Sequence, residues 1–182
     1  MDQASRAEDV SRTLRPPEER QAELVRRLGA LGISCVTHAH APVFTVEDAQ
    51  ALRGALPGGH TKNLLLRDRD QTFWLVVLRE ELRVDLNGLA RTLGVSRFSF
   101  APPGALEEKL GVPPGSVTPF ALINPAAHEV RVILDDGLLD LDPLNFHPLR
   151  NDRTTAIATT DFLRFLSASG HEPLIMAIPQ RP

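Results

Sequence analysis

Two apolar runs set close together constrain this 182-residue chain more than any other feature. Leu64-Leu65-Leu66 and Trp74-Leu75-Val76-Val77-Leu78 lie in the stretches Thr61 to Arg67 and Thr72 to Leu78, separated by Asp68-Arg69-Asp70-Gln71. Such runs, bounded by polar turn residues, predict the arms of a β-hairpin. A strand with one face in water alternates apolar and polar residues, and these do not. The hairpin is therefore expected inside a sheet covered on both faces.

The flanking sequence supplies the cover. Leu24, Leu28 and Leu31 recur at helical spacing from about Pro17, and Gly29 and Gly32 end that helix. Ile33 to His38 reads as a short strand. Thr45-Val-Glu-Asp48 opens a second helix that Gly54, Pro57, Gly58 and Gly59 break after Arg53. Asp85 caps a helix holding Leu86, Leu89, Ala90 and Leu93. Arg97 to Phe100 is a strand, and Gly104–Leu110 a short helix. Phe120–Asn124 and Glu129–Leu134 are expected to pair as a second hairpin around Pro125-Ala-Ala-His128. Asn145–Leu149 and Thr154–Ala158 are extended. Thr160 or Asp161 caps the last helix, which Gly170 stops, and Pro173–Ile178 is a final strand. Without a regular βαβ repeat, the expected fold is α+β: a single domain with a curved mixed β-sheet flanked by helices. Residues 1–17 read as a flexible polar tail and 18–180 as the domain.

Composition excludes several classes. Hydrophobic residues are 42% and charged residues 24%, as in ordinary globular proteins and unlike disordered, collagenous or coiled-coil chains. No apolar run approaches the ~20 residues of a membrane span, so no membrane partner is expected. The start, MDQASRAEDVSRTLRPPEER, has no secretory apolar core. The single cysteine, Cys35, excludes an internal disulfide and fits a reducing, cytoplasmic location. A net charge of -3 argues against general nucleic-acid coating but leaves room for a local basic patch. Of 20 lysines and arginines only Lys62 and Lys109 are lysine, so each asks for a reason.

No Walker loop or Gly-x-Ser-x-Gly elbow occurs. His38 and His40 share a strand face, a weak metal pattern with no third ligand, and Cys35 near His38 reads as a small buried residue or a nucleophilic pair. Three segments invite a functional reading. In Gly59-His-Thr-Lys-Asn-Leu-Leu-Leu66, Lys62 opens an apolar strand, either facing a pocket at the sheet's end or snorkelling outward. Gly115-Ser-Val-Thr-Pro119 can gather backbone amides around an oxyanion, or serve as a plain turn. His147, in Asn145-Phe-His-Pro-Leu-Arg-Asn151, can meet a substrate hydroxyl or tie a loop to the sheet.

Together these segments resemble the YbaK/prolyl-tRNA-synthetase-associated editing domain family. The matching pieces are Pro42-Val-Phe-Thr-Val-Glu-Asp-Ala49, His60-Thr-Lys-Asn-Leu-Leu-Leu66, Gly115 to Asn124, Asn145-Phe-His-Pro-Leu149 with Thr154-Thr-Ala-Ile157, and Gly170-His-Glu-Pro-Leu174. The resemblance spans about residues 18–180 and is greatest to the free-standing ProXp-ala (PrdX) branch. One departure is Leu65, where the family pattern has Phe.

The resemblance implies a trans-editing deacylase that hydrolyses the ester of Ala-tRNA-Pro without a cofactor. Its partner would be the acceptor end of aminoacylated tRNA-Pro, with transient contact to prolyl-tRNA synthetase, and a monomer is expected. Alternatives are the Cys-tRNA-Pro deacylase branch and a non-catalytic tRNA- or synthetase-binding module. The implied catalytic set is Lys62, Gly115, Ser116 and His147. Phe44, Thr45, Asn63, Val117, Thr118 and Pro119 are the implied substrate contacts. Arg67, Arg69, Arg79 and Arg83 are candidates for a basic patch on the acceptor stem.

Overall fold

A computed structural model describes residues 14–42 and 56–181. The helix expected from Thr45, and with it Phe44 and Thr45, lies outside the described residues.

Helix α1, Pro17–Ala30, has proline in its first turn with Glu18 and Glu19, and Arg27 in its last turn. Those charges oppose the partial charges at its two ends. Leu24 and Leu28 are buried. Strand β1 is Val36–Ala39, exposed along its length. Strands β2, Gly59–Asp68, and β3, Phe73–Arg79, form the expected antiparallel hairpin, with Lys62 opposite Leu78 and Leu65 opposite Leu75. Asp68 builds the turn. Its backbone N–H donates to Thr72 O at 3.0 Å, and its carboxylate accepts from Thr72 N and Trp74 Nε1, both at 2.9 Å.

Asp85 caps α2, Leu86–Leu93, accepting from Asn87 N at 3.1 Å. Strand β4, Phe98–Phe100, pairs with the end of β2. The expected short helix is one turn, Pro103–Ala105, running into a π-helical turn, Leu106–Leu110. Strands β5, Arg131–Asp135, β6, Leu144–Phe146, and β7, Arg153–Ile157, precede α3, Thr159–Ala168, and β8, Leu174–Met176. The sheet order is β1-β7-β6-β2-β3-β5-β8, with β4 also on β2. The β2–β6, β3–β5 and β5–β8 pairs are parallel and the others antiparallel, so the sheet is mixed.

Both faces of the central strands are dry. Leu75, Val77, Val132 and Leu134 face a core shared with α1, α3 and the 3-10 turns. Trp74, Val76, Leu78 and Ile133 face a second core closed by Leu89 and Ala90 of α2.

Two local expectations are corrected. The second hairpin does not form, because Pro119 and Pro125 each start a 3-10 turn, Pro119–Ile123 and Pro125–Glu129. Proline lacks the amide a ladder needs, and Thr118 Oγ1 accepts from Phe120 N at 3.3 Å instead. The first amide of α3 is satisfied by neither Thr160 nor Asp161. Asp142, from the preceding loop, accepts from Thr159 N at 2.7 Å.

Candidate active site

The first half of β2 is the meeting point of the segments singled out above. Gly59 and His60 pair with Leu144 and Asn145 of β6. Thr61 Oγ1 donates to Asn145 O at 2.9 Å, and Asn63 Nδ2 donates to Val117 O at 3.2 Å. Asn145 Nδ2 donates back to Pro57 O at 3.0 Å and Gly59 O at 3.3 Å. Gly58 lets these strands close up: it has φ +98°, and a Cβ there would sit 2.2 Å from Pro143 O. Asn63 Oδ1 and Asn145 Oδ1 are buried acceptors without a donor among the described residues.

Lys62 does not reach toward the Gly115–Pro119 loop. Its Nζ donates to the Leu82 carbonyl beyond β3. Burial depresses its pKa, Glu80 and Glu81 oppose that, and Arg83 adds to it. Glu80 is a residue that motif reading missed. It lies two positions beyond Leu78, the partner of Lys62, and its N–H donates to His60 O at 3.1 Å. It acts electrostatically on both Lys62 and His147. The hairpin register contained that signal. The other lysine, Lys109, is accounted for structurally by Glu108, Glu129 and the Phe73 ring.

The Gly115–Pro119 loop presents backbone rather than hydroxyls. Gly115 has φ +85° and is exposed, whereas Ser116 and Thr118 are buried. The Ser116 amide is spent on Pro113 O at 3.2 Å, and Pro119 has none. The amides of Gly115, Val117 and Thr118 are what the loop can offer an oxyanion. A Cβ on Gly115 would lie 3.9 Å from Asn151 Nδ2, so this loop adjoins the one that follows His147.

His147 Nδ1 lies 2.9 Å from Arg153 O. A carbonyl only accepts, so Nδ1 carries the proton and Nε2 is the acceptor in the neutral ring. Burial, the largest influence, lowers the pKa, and His40 lowers it further; the Arg153 carbonyl, Glu80 and Asp152 oppose. His40, weighed in the sequence only as a metal ligand with His38, has its ring centroid 6.3 Å from that of His147. Its two nitrogens are engaged by Ala41 O at 2.7 Å and Thr154 Oγ1 at 2.9 Å. Burial pushes the Cys35 thiol up to about 11, with Asp161 adding, so it is not a ready nucleophile. Arg79 leaves the proposed basic patch: its Nε donates to the buried Asp135 at 2.7 Å.

The long second strand of this mixed sheet thus gathers an amide-bearing loop and a histidine toward one end, and comparison with known proteins supplies the family. Residues 40–165 match the model of the aminoacyl-tRNA editing domain, and the chain belongs to that family. It is 37% identical over 163 residues to the mouse (Mus musculus) prolyl-tRNA synthetase associated domain-containing protein 1, covering 87% of this chain and 96% of the relative. It is 29% identical over 149 residues to the prolyl-tRNA editing protein ProX of Acetoanaerobium sticklandii, covering 81% and 91%. A solved structure provisionally described as a trans-editing enzyme for prolyl tRNA synthetase shares the fold. Its TM-score is 0.68 at 20% identity, over 93% of this chain and 100% of that one. No described helix is long and apolar enough to cross a membrane.

Proposed function

We propose that this protein is a trans-editing deacylase that hydrolyses the ester of alanine mischarged onto tRNA-Pro. The observation that carries the reading is the tether from Asn63 to Val117 O, 3.2 Å, which holds the Gly115–Pro119 loop against the strand of Lys62. The names of the two relatives support prolyl-tRNA as the substrate class. Alanine is taken from the resemblance to the ProXp-ala branch; a pocket sized for a methyl group would exclude a proline ring. One methylene is worth only ~1–3 kcal/mol, so some glycine and serine ester is also cleaved.

In this reading water attacks the ester carbonyl carbon. The carbonyl oxygen becomes an oxyanion facing the Gly115, Val117 and Thr118 amides. The C–O bond to the terminal ribose then breaks, the ribose oxygen takes the proton, and free alanine leaves. His147 Nε2 accepts a hydrogen bond from the water or the neighbouring ribose hydroxyl, which helps orient the attack. Lys62, released from Leu82, anchors the carbonyl or the terminal phosphate. The protein acts as a monomer in the cytoplasm and meets prolyl-tRNA synthetase transiently.

The test is deacylation of Ala-, Cys- and Pro-tRNA-Pro by the wild type and by Lys62→Ala. Rapid loss of alanine alone, abolished in the variant, is the expected result. Loss of cysteine instead moves the protein to the sister branch. No ester cleavage with tRNA still bound overturns the catalytic reading and leaves a binding module.

A further inference from the structure

The other end of β2 carries a second feature. There Arg67, Arg69 and Arg97, with Gln71, Ser96 and Ser99, line an open groove of about 470 Å³. Among the described residues none of these three arginines is ion-paired, whereas Arg79, Arg150 and Arg164 each hold a carboxylate. Asp68 also lines the groove, but it is buried, and its oxygens are taken by Thr72 N and Trp74 Nε1. Asp70, on the adjoining turn, carries an opposing charge. Arg131 adds a fourth guanidinium near this end, lying over the Trp74 ring at 5.0 Å. Phe100, the residue that follows Ser99 on edge strand β4, is 61% exposed.

Guanidinium forks without an ion-pair partner match phosphate oxygens, and an exposed ring nearby offers a base a stacking face. Five residues of strand separate Lys62 from Arg67, about 17 Å at the usual rise. That is about five stacked nucleotides at ~3.4 Å each. A nucleic acid whose end lies at the Lys62 end of β2 therefore brings a segment about five nucleotides from its terminus, not the terminal nucleotide, to the groove.

We infer that the Arg67/Arg69/Arg97 groove, with Phe100 next along β4, binds the sugar–phosphate backbone of the RNA whose aminoacyl end is presented at Lys62. The inference rests on the proposed editing function for its substrate. The groove grips phosphates and reads no bases, so it sets affinity and orientation and leaves the chemical step alone.

The experiment measures binding of uncharged tRNA-Pro across a salt series, and hydrolysis of Ala-tRNA-Pro against a small alanyl-adenosine ester. Wild type is compared with the Arg67→Gln/Arg69→Gln/Arg97→Gln triple variant, the matching triple Arg→Lys variant and Phe100→Ala. The glutamine triple is expected to bind tRNA at least about tenfold more weakly, with its log–log salt slope reduced by about two to three. KM for Ala-tRNA-Pro should rise while kcat on the small ester stays unchanged. The lysine triple should keep most of the salt slope, and Phe100→Ala should lose affinity a few-fold with the slope intact. Unchanged affinity and slope in the glutamine triple overturn the groove while leaving the editing function standing. Arginine-dependent RNA binding by a wild type that cleaves no ester supports the groove while removing the editing function. A wild type that binds no RNA at low salt removes both.

Discussion

Arg20 projects from α1 and is only 6% exposed. Its Nε and Nη2 both donate to Leu149 O, at 3.2 and 3.1 Å, and Nη1 donates to Arg15 O at 2.7 Å. Leu149 is left-handed at φ +64°, a conformation that costs an L-residue ~1–2 kcal/mol. The fork therefore pins a strained turn two residues after His147. Arg20→Lys keeps the charge and loses the fork, and should cost about 1–2 kcal/mol by urea denaturation; Arg20→Ala should cost about 3. His147 carries a pH signature. Its folded pKa lies below the ordinary 6.5, so the folded state favours the neutral ring. That stability is fully present above about pH 6.5 and is lost as pH falls through the folded value. His147→Asn, which retains a donor for Arg153 O, should flatten the stability-versus-pH curve below that point. If neutral Nε2 orients the water, wild-type kcat should hold below pH 6.5 before it falls.

At the level of elements, the loops carry the specification that the regular structure lacks. Asp142 satisfies the first amide of α3 from outside the helix. Asp142→Ala should therefore cost about 1 kcal/mol, as loss of a cap does, readable as a lower Tm. Among the described residues a Cβ added at Gly115 would meet nothing nearer than 3.9 Å, but the backbone is at φ +85°. Gly115→Ala therefore pays only for backbone conformation, about 1–2 kcal/mol. The loop should relax away from that geometry, so deacylation should fall much more than stability does. Equal losses would assign the glycine to folding alone.

Across the whole molecule, the buried hairpin makes the sheet sensitive on both faces. Leu75 packs into one core and Leu78 into the other, and both are fully buried. Leu75→Ala and Leu78→Ala should each cost about 2–5 kcal/mol; a sheet wetted on one side would tolerate one of them. Amide exchange should follow the same layout. Amides of β3 and β5 should exchange only by global opening, whereas β1, an exposed edge paired to β7 alone, should exchange first.

The elements that local chemistry decides were legible without coordinates. The β2–β3 hairpin follows from two unbroken apolar runs and a polar turn, α1 from its leucine spacing, and the Asp85 cap from residue type and position. The candidate segments around Lys62, Gly115 and His147 stood out as motifs for the same reason, since each is a short run of residue types. What tertiary structure decided is how distant parts meet. The apolar run Phe120-Ala-Leu-Ile123 reads as a strand, yet the flanking prolines and the Thr118 hydroxyl bond turn it into a 3-10 coil. Whether an arginine is free or spent is invisible in the chain: Arg79 faces Asp135, 56 residues away, and Arg20 holds Leu149, 129 away. Strand register and ring packing bring Glu80 and His40 to the candidate site. Propensity and periodicity act over a few residues, so a sequence states them directly. Charge compensation and hydrogen-bond partnership depend on which surfaces the fold presses together, and only the folded chain supplies those distances.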